Sequence, residues 1–200
     1  MDDAELARKA QDGDEAAIEA LVKRYLPQVL RLSTRLAGDT MLAEDIAQEA
    51  FVKAWRNLKR YDTGKPFAPW MLAITRNAAL DHLRKRRAVP FSALSPKDDD
   101  EGLAFADTLA SDEPLPEEVL ARAQSDQTVA AALAQLPERD RTVLTLRYED
   151  ELSFEDIGGV MAAPMNTVKS WHRRAQARLR ALLTDTVMPG DGRPDAPRHD

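Results

Sequence analysis

Lys169, Arg173 and Arg174 fall in a stretch, 165–183, that holds five Lys/Arg and no Asp or Glu. Arg84, Lys85, Arg86 and Arg87 close a second stretch, 53–87, with ten basic residues against two acidic ones. The chemistry open to such groups is recognition of anions. A guanidinium pairs bidentately with phosphate or with guanine, and an ammonium serves as a point charge. Arg60, Tyr61, Lys65 and Phe67 mix cations with aromatic rings, the combination that holds a nucleic-acid backbone and stacks its bases. Screening confines each charge to ~8–10 Å, so local basic patches act on polyanions despite a net charge of −6.

Groups able to make or break bonds are missing. The chain has no cysteine, which excludes a disulfide framework, a thiolate metal site and a cysteine nucleophile, and agrees with a reducing cytoplasm. Its three histidines, His82, His172 and His199, show no metal-ligand spacing. Gly64-Lys65 alone is not a phosphate-binding P-loop. No catalytic residue, metal or cofactor is expected. Met1 to Glu5 is acidic, without the apolar run of a secretory signal, and no window is long and apolar enough to span a membrane.

The elements that must position these cations read as helices. With 200 residues, 44% of them hydrophobic, the chain has material for one large or two small domains. Leu21, Tyr25, Val29, Leu32 and Leu36 recur at helical spacing, and Gly38-Asp39 ends that helix. Leu42, Ile46, Ala50, Ala54 and Leu58 mark the next, with Glu44, Asp45, Gln48 and Glu49 on its other face. A turn-rich loop from Tyr61 to Pro66 precedes a helix over 67–87. Trp55 and Trp70 read as core, Tyr61 and Phe67 as more open, and His82 as a helix-surface residue. Between 88 and 124 the pattern lapses into prolines and the run Asp98-Asp99-Asp100-Glu101, the composition of a flexible acidic linker.

A second helical module begins near Ser125. Ser153 to Asp156 resembles a capping box, Gly158-Gly159 weakens the short helix it starts by ~1 kcal/mol per Gly, and Asn166 is placed to cap the next helix. On that helix Val168, Trp171, Ala175, Leu179 and Leu182 form an apolar strip, while Lys169, Ser170, Arg173 and Arg174 project elsewhere. A short helix, a tight turn and a basic second helix make a helix-turn-helix, whose second helix reads DNA from its N-terminal end. A plain amphipathic hairpin with Lys/Arg placed for solubility is the plainer alternative. The fold class is therefore all-α, with two small helical domains, 1–88 and 125–184, an acidic linker, 89–124, and a disordered tail, 185–200.

Three segments in order resemble the extracytoplasmic-function (ECF) group of bacterial sigma factors. MLAEDIAQEAFVKAW is similar to the family's region 2.2, PFAPWMLAITRNAALDHLRKRRA to regions 2.3 and 2.4, and LPERDRTVLTLRYEDELSFEDIGGVMAAPMNTVKSWHRRAQARL to region 4. The resemblance implies an alternative sigma factor: a promoter-specific initiation factor, not an enzyme, that binds RNA polymerase core and stabilises melted DNA. It implies that Asp45, Gln48 and Glu49 contact the clamp helices of the β′ subunit, with the rest of region 4 on the β flap. Tyr61, Lys65, Phe67, Arg76, Asn77 and Arg84 fall where the family reads the −10 element and its non-template strand. Asn166, Thr167, Lys169, Ser170, Arg173 and Arg174 fall on the recognition helix for the −35 element. It further implies an anti-sigma factor as regulator, through which any membrane contact would run. The sequence departs from the family at Ala162 and Asn166, where glycine is usual, and at Trp171, where arginine is usual.

Two other readings compete. A simple helix-turn-helix regulator would bind duplex DNA without polymerase and would not need the first-domain motifs. A sigma mimic that only binds an anti-sigma factor would not need the cations at 84–87 and 169–174.

Overall fold

A computed structural model describes residues 1–87 and 126–187, and every described element is helical. The linker and most of the tail expected from the sequence lie outside the described residues. The helices are α1 (Asp3–Gln11), α2 (Glu15–Ala37), α3 (Thr40–Asn57), α4 (Phe67–Arg87), α5 (Asp126–Gln135), α6 (Glu138–Leu144), α7 (Phe154–Met161) and α8 (Met165–Val187). A 3-10 turn, Leu58–Arg60, extends α3, and a π-type turn, Thr145–Glu149, extends α6.

Short polar residues start these helices by supplying acceptors to backbone N–H groups that have no partner within the helix. Asp2 accepts from the Glu5 amide at 2.7 Å, Asp14 from Ala16 and Ala17, and Asp39 from Leu42 at 3.0 Å. Gly38 ends α2 in the left-handed region at φ 68°, and its amide reaches the Thr34 carbonyl, which turns the chain directly into α3.

Helices α1 to α4 enclose a core of Leu21, Val29, Leu32, Ile46, Phe67, Met71 and Leu72, each with at most 1% of its surface exposed. Gln11 ties α1 to the loop before α4 by donating to the carbonyls of Leu58 and Tyr61, both at 2.8 Å. In the second module Ala132, Leu133, Leu136, Leu144, Ala175, Leu179 and Leu183 form their own cluster. Val143, Leu146, Ile157, Val160 and Val168 instead join the apolar cluster of the first module. The second module therefore packs on the first, with α5 and α6 against α2 and α7 of the helix-turn-helix against α4.

Polar contacts reinforce that seam. Arg31 reaches Asp150 at 2.5 Å, and Arg35 reaches Glu149 at 2.9 Å. Arg141 donates to four carbonyls: Leu133, Ala134 and Leu136 around the end of α5, and Arg35 near the end of α2. Arg76 on α4 lies 3.5 Å from Glu138 at the start of α6.

Candidate nucleic-acid interface

The second module has helix-turn-helix geometry. Ser153 caps α7 by accepting from the Asp156 amide at 3.1 Å. The box closes differently from the usual one: the Asp156 carboxylate takes the Ser153 hydroxyl at 2.6 Å, because its side chain is one methylene shorter than the usual Glu. Ala162 makes the turn in the left-handed conformation, φ 53° and ψ 44°, and the Ala163 amide returns to the Gly158 carbonyl at 2.9 Å. The next helix begins at Met165, earlier than its expected cap. The Val168 amide bonds the Pro164 carbonyl at 3.1 Å, so Pro164 holds the capping position and Asn166 lies exposed in the first turn.

Along α8, Val168, Ala175, Leu179 and Leu183 are buried, while Trp171 and Leu182 are only half-buried. Lys169 is exposed; Thr167, Ser170, Arg173 and Arg174 are half-buried. Two cations cover the Phe154 ring, Arg147 at 4.8 Å and Lys169 at 6.0 Å, and Arg139 covers Trp171 at 5.1 Å. Sequence reasoning missed His172 and Gln176. Both are buried, with ring nitrogen Nε2 of His172 3.2 Å from the Tyr148 hydroxyl and Gln176 donating to that hydroxyl at 2.6 Å. An apolar-strip pattern carries no signal for polar side chains that find each other inside.

The loop before α4 differs from its reading as a stacking platform. Tyr61 and Phe67 are 6% and 1% exposed, so neither ring is open to a base. Phe67 packs 4.9 Å from Tyr25 and 5.2 Å from Trp70, with Tyr61 edge-on at 5.3 Å. The Tyr61 hydroxyl donates to the Lys65 carbonyl, which fixes the loop around an Asx turn at Asp62, whose carboxylate accepts from Gly64 at 3.0 Å. Burial raises the Tyr61 pKa to about 12. The reason for the correction is packing: α1, α2 and α4 converge behind this loop, and the two rings fill the gap.

Trp70 takes the surface position instead. It is half-buried, packed against the edge of the core, and with Arg60, Tyr61, Lys65, Pro66 and Pro69 lines a cleft of about 540 Å³. Glu155, Asp156 and Gly159 of α7 form its far side. Lys65, Asn77 and Arg84 are exposed nearby in sequence; Arg76 is half-buried against Glu138.

On α3, Asp45 and Gln48 are exposed together with Met41 and Val52. Trp55 is half-buried and packs against the edge of the core. Glu49 is not a free anion on that face. It contacts Lys53 at 2.7 Å and His82 of α4 at 2.6 Å, and Lys53 reaches on to Asp81 at 3.2 Å. The Lys53 hydrogen bond, then the one from His82, holds the Glu49 carboxyl below the usual carboxylate range. His82 is thus half-buried and paired, a contact between helices that its place in the sequence did not reveal.

Comparison with known proteins agrees with this layout. Residues 21–89 match Sigma-70 region 2, and residues 132–181 match Sigma-70 region 4. The RNA polymerase sigma-H factor of Pseudomonas aeruginosa is 38% identical over 182 residues, 90% of this chain and 93% of that protein. The ECF RNA polymerase sigma factor SigW of Bacillus subtilis is 32% identical over 178 residues, 89% of this chain and 95% of that one. The chain belongs to the ECF sigma factor family. Among solved structures, CnrH in complex with the cytosolic domain of CnrY superimposes with a TM-score of 0.64 at 25% identity, covering 92% of this chain and 97% of that one. The sigma factor RpoE of Bartonella quintana, in complex with the anti-sigma factor NepR, gives 0.62 at 25% identity, covering 83% and 96%. As a sigma factor the chain is a specificity factor for transcription initiation and not an enzyme. Among the described residues no helix is long and apolar enough to cross a membrane.

Proposed function

We propose that the chain acts as an alternative sigma factor whose first module, 1–88, docks on polymerase and reads the −10 element, and whose second, 125–184, reads the −35 element. The cleft beside Trp70 is the observation that carries this reading. It combines the Trp70 indole with Arg60 and Lys65, which flank the loop before α4, the groups that stack an extruded base and hold its phosphates. Lys65, Asn77 and Arg84 are the exposed candidates for −10 contacts, with Arg76 on the same helix as Asn77 and Arg84 but half-buried against Glu138. Tyr61 lines the cleft with little of its surface exposed, and Phe67 packs behind it.

Asn166, Lys169, Ser170, Arg173 and Arg174 lie along the acid-free first half of α8, where a recognition helix meets base edges and phosphates. Thr167 sits between them. Asp45 and Gln48, framed by the exposed Met41 and Val52, suit a partner surface that is both basic and apolar, as expected of the β′ clamp helices. Both solved relatives were captured with partner polypeptides, one of them a named anti-sigma factor, which supports control of this chain by such an inhibitor. The cytoplasm is the expected place of action.

Run-off transcription with purified core tests the reading. The chain should direct start sites at a defined set of promoters from a genomic library, and Lys65→Glu should abolish them while core binding persists. Initiation that Lys65→Glu does not alter removes the cleft from the site.

A further inference from the structure

Two cation-capped rings flank the reading face of α8. At about 3.6 residues per turn, Asn166, Lys169, Ser170 and Arg173 share one face, opposite the buried Val168, Ala175 and Leu179. Phe154, under Arg147 and Lys169, lies along one flank of that face. Trp171, Arg174 and Arg178 lie along the other. There Arg139, from the first turn of α6, covers the Trp171 ring at 5.1 Å. A helix about 10–12 Å across, set in a major groove about 12 Å wide, has a sugar–phosphate strand along each flank. Position 171 itself carries no charge, so a cation reaches this flank from α6.

The guanidinium is fixed without the hydrogen bonds that usually fix one. Arg139 Nε stands 3.6 Å from Asp140 Oδ1, and both atoms are buried without a hydrogen-bond partner among the described residues. Asp140 is fully buried and accepts instead from Arg178 of α8. One carboxylate thus faces two guanidiniums, and positive charge is left over. The Arg139 side chain keeps 27% of its surface exposed. Stacking on an indole orients the planar fork in advance, so little freedom remains to be lost when it meets an anion. We propose that Arg139, stacked on Trp171, grips a DNA phosphate along one wall of the groove that α8 reads. The guanidinium donates to the oxygens of one phosphate, which adds affinity and fixes register but carries no base preference. This contact rests on the −35 reading above.

The test uses polymerase reconstituted from core and the full-length chain, binding a promoter duplex over a range of salt. Arg139→Gln should weaken binding about three- to fivefold at low salt and make the slope of log affinity against log salt shallower by about one. The loss should be the same when the −35 bases are scrambled. Replacing backbone phosphates one at a time by uncharged methylphosphonates should find one position that costs wild type a similar factor and costs Arg139→Gln nothing more. Arg139→Gln combined with Trp171→Arg returns a guanidinium to the same flank. It should restore the slope, which also shows that the single variant folds.

An unchanged salt slope in Arg139→Gln, or a variant that stays sensitive at every methylphosphonate position, overturns the proposal and leaves Arg139 as a tie between α6 and α8. A loss confined to the cognate −35 bases overturns it too, because Arg139 would then be positioning α8 for base reading. The −35 reading is judged apart, in wild type: −35 bases that can be scrambled without loss of affinity count against that reading, whereas Arg139 is judged by the slope and the phosphate position alone.

Discussion

A Cβ placed on Gly158 would stand 2.7 Å from the carbonyl oxygen of Ala163, whereas one placed on the adjacent Gly159 would meet nothing within 4 Å. The two glycines weaken α7 equally by propensity, but only one is required by the turn that follows. Backbone cannot swing aside as a flexible side chain can, so Gly158→Ala should destabilise the helix-turn-helix by ~1–3 kcal/mol despite its better helix propensity. Gly159→Ala should instead stabilise by up to ~1 kcal/mol. Chemical denaturation of the two variants checks the contrast.

Ala162 holds a left-handed conformation that residues other than glycine and asparagine seldom adopt. Ala162→Gly should relieve that strain and raise stability by ~1 kcal/mol with no change in −35 recognition. A loss of stability would mean that the turn adopts another geometry in solution.

Tyr61→Phe removes the hydroxyl that fixes the Lys65 carbonyl, for a loss of ~1 kcal/mol, but should leave promoter opening close to wild type. A stacking role would predict the same retention of opening for Tyr61→Phe, so Tyr61→Ala decides. It should cost ~3–5 kcal/mol of stability and lower opening only in proportion to the fraction unfolded. Because burial raises the Tyr61 pKa to about 12, its contribution to stability is complete below the ordinary tyrosine value of 10 and declines as pH climbs through the folded value. Ultraviolet difference titration of the folded chain should therefore show Tyr61 still protonated at pH 11.

Asp45 and Glu49 should separate in experiment although they share α3. Asp45→Lys should lower core affinity by about tenfold or more while leaving the melting curve alone. Glu49→Gln should loosen the α3–α4 contact through Lys53 and His82 and shift the melting curve itself. Since the Glu49 carboxyl is held below its ordinary range, its stabilising effect is full above that range and is lost as pH falls through the folded value. The wild-type chain should thus lose a share of stability in acid that Glu49→Gln has already lost at neutrality.

Arg173→Ala should weaken −35 binding by ~1–3 kcal/mol on the cognate duplex. An equal loss on scrambled duplex would reduce Arg173 to a phosphate contact.

The helices and their order were legible because periodicity and caps are local signals: Gly38, Asp39 and Ser153 mark ends that backbone hydrogen bonding requires. The basic first half of α8 was legible for the same reason, since a run without acids is visible in one dimension. What the sequence hid was pairing across elements. Tyr61 and Phe67 look like loop aromatics until α1 and α2 close behind them, and Trp70 looks like core until they take its place. Glu49 and His82 are 33 residues apart and declare no relation until α3 and α4 lie side by side. Arg76 reads as a free cation until Glu138 arrives from the other module.

Arg141 decides how the molecule would come apart. Three of its four acceptors belong to its own module and one to α2. Losing α2 therefore strips a single bond from a side chain that keeps the rest, and the end of α5 remains pinned to α6. The guanidinium is thus a rivet internal to the second module, owing one bond in four to the neighbouring helix α2.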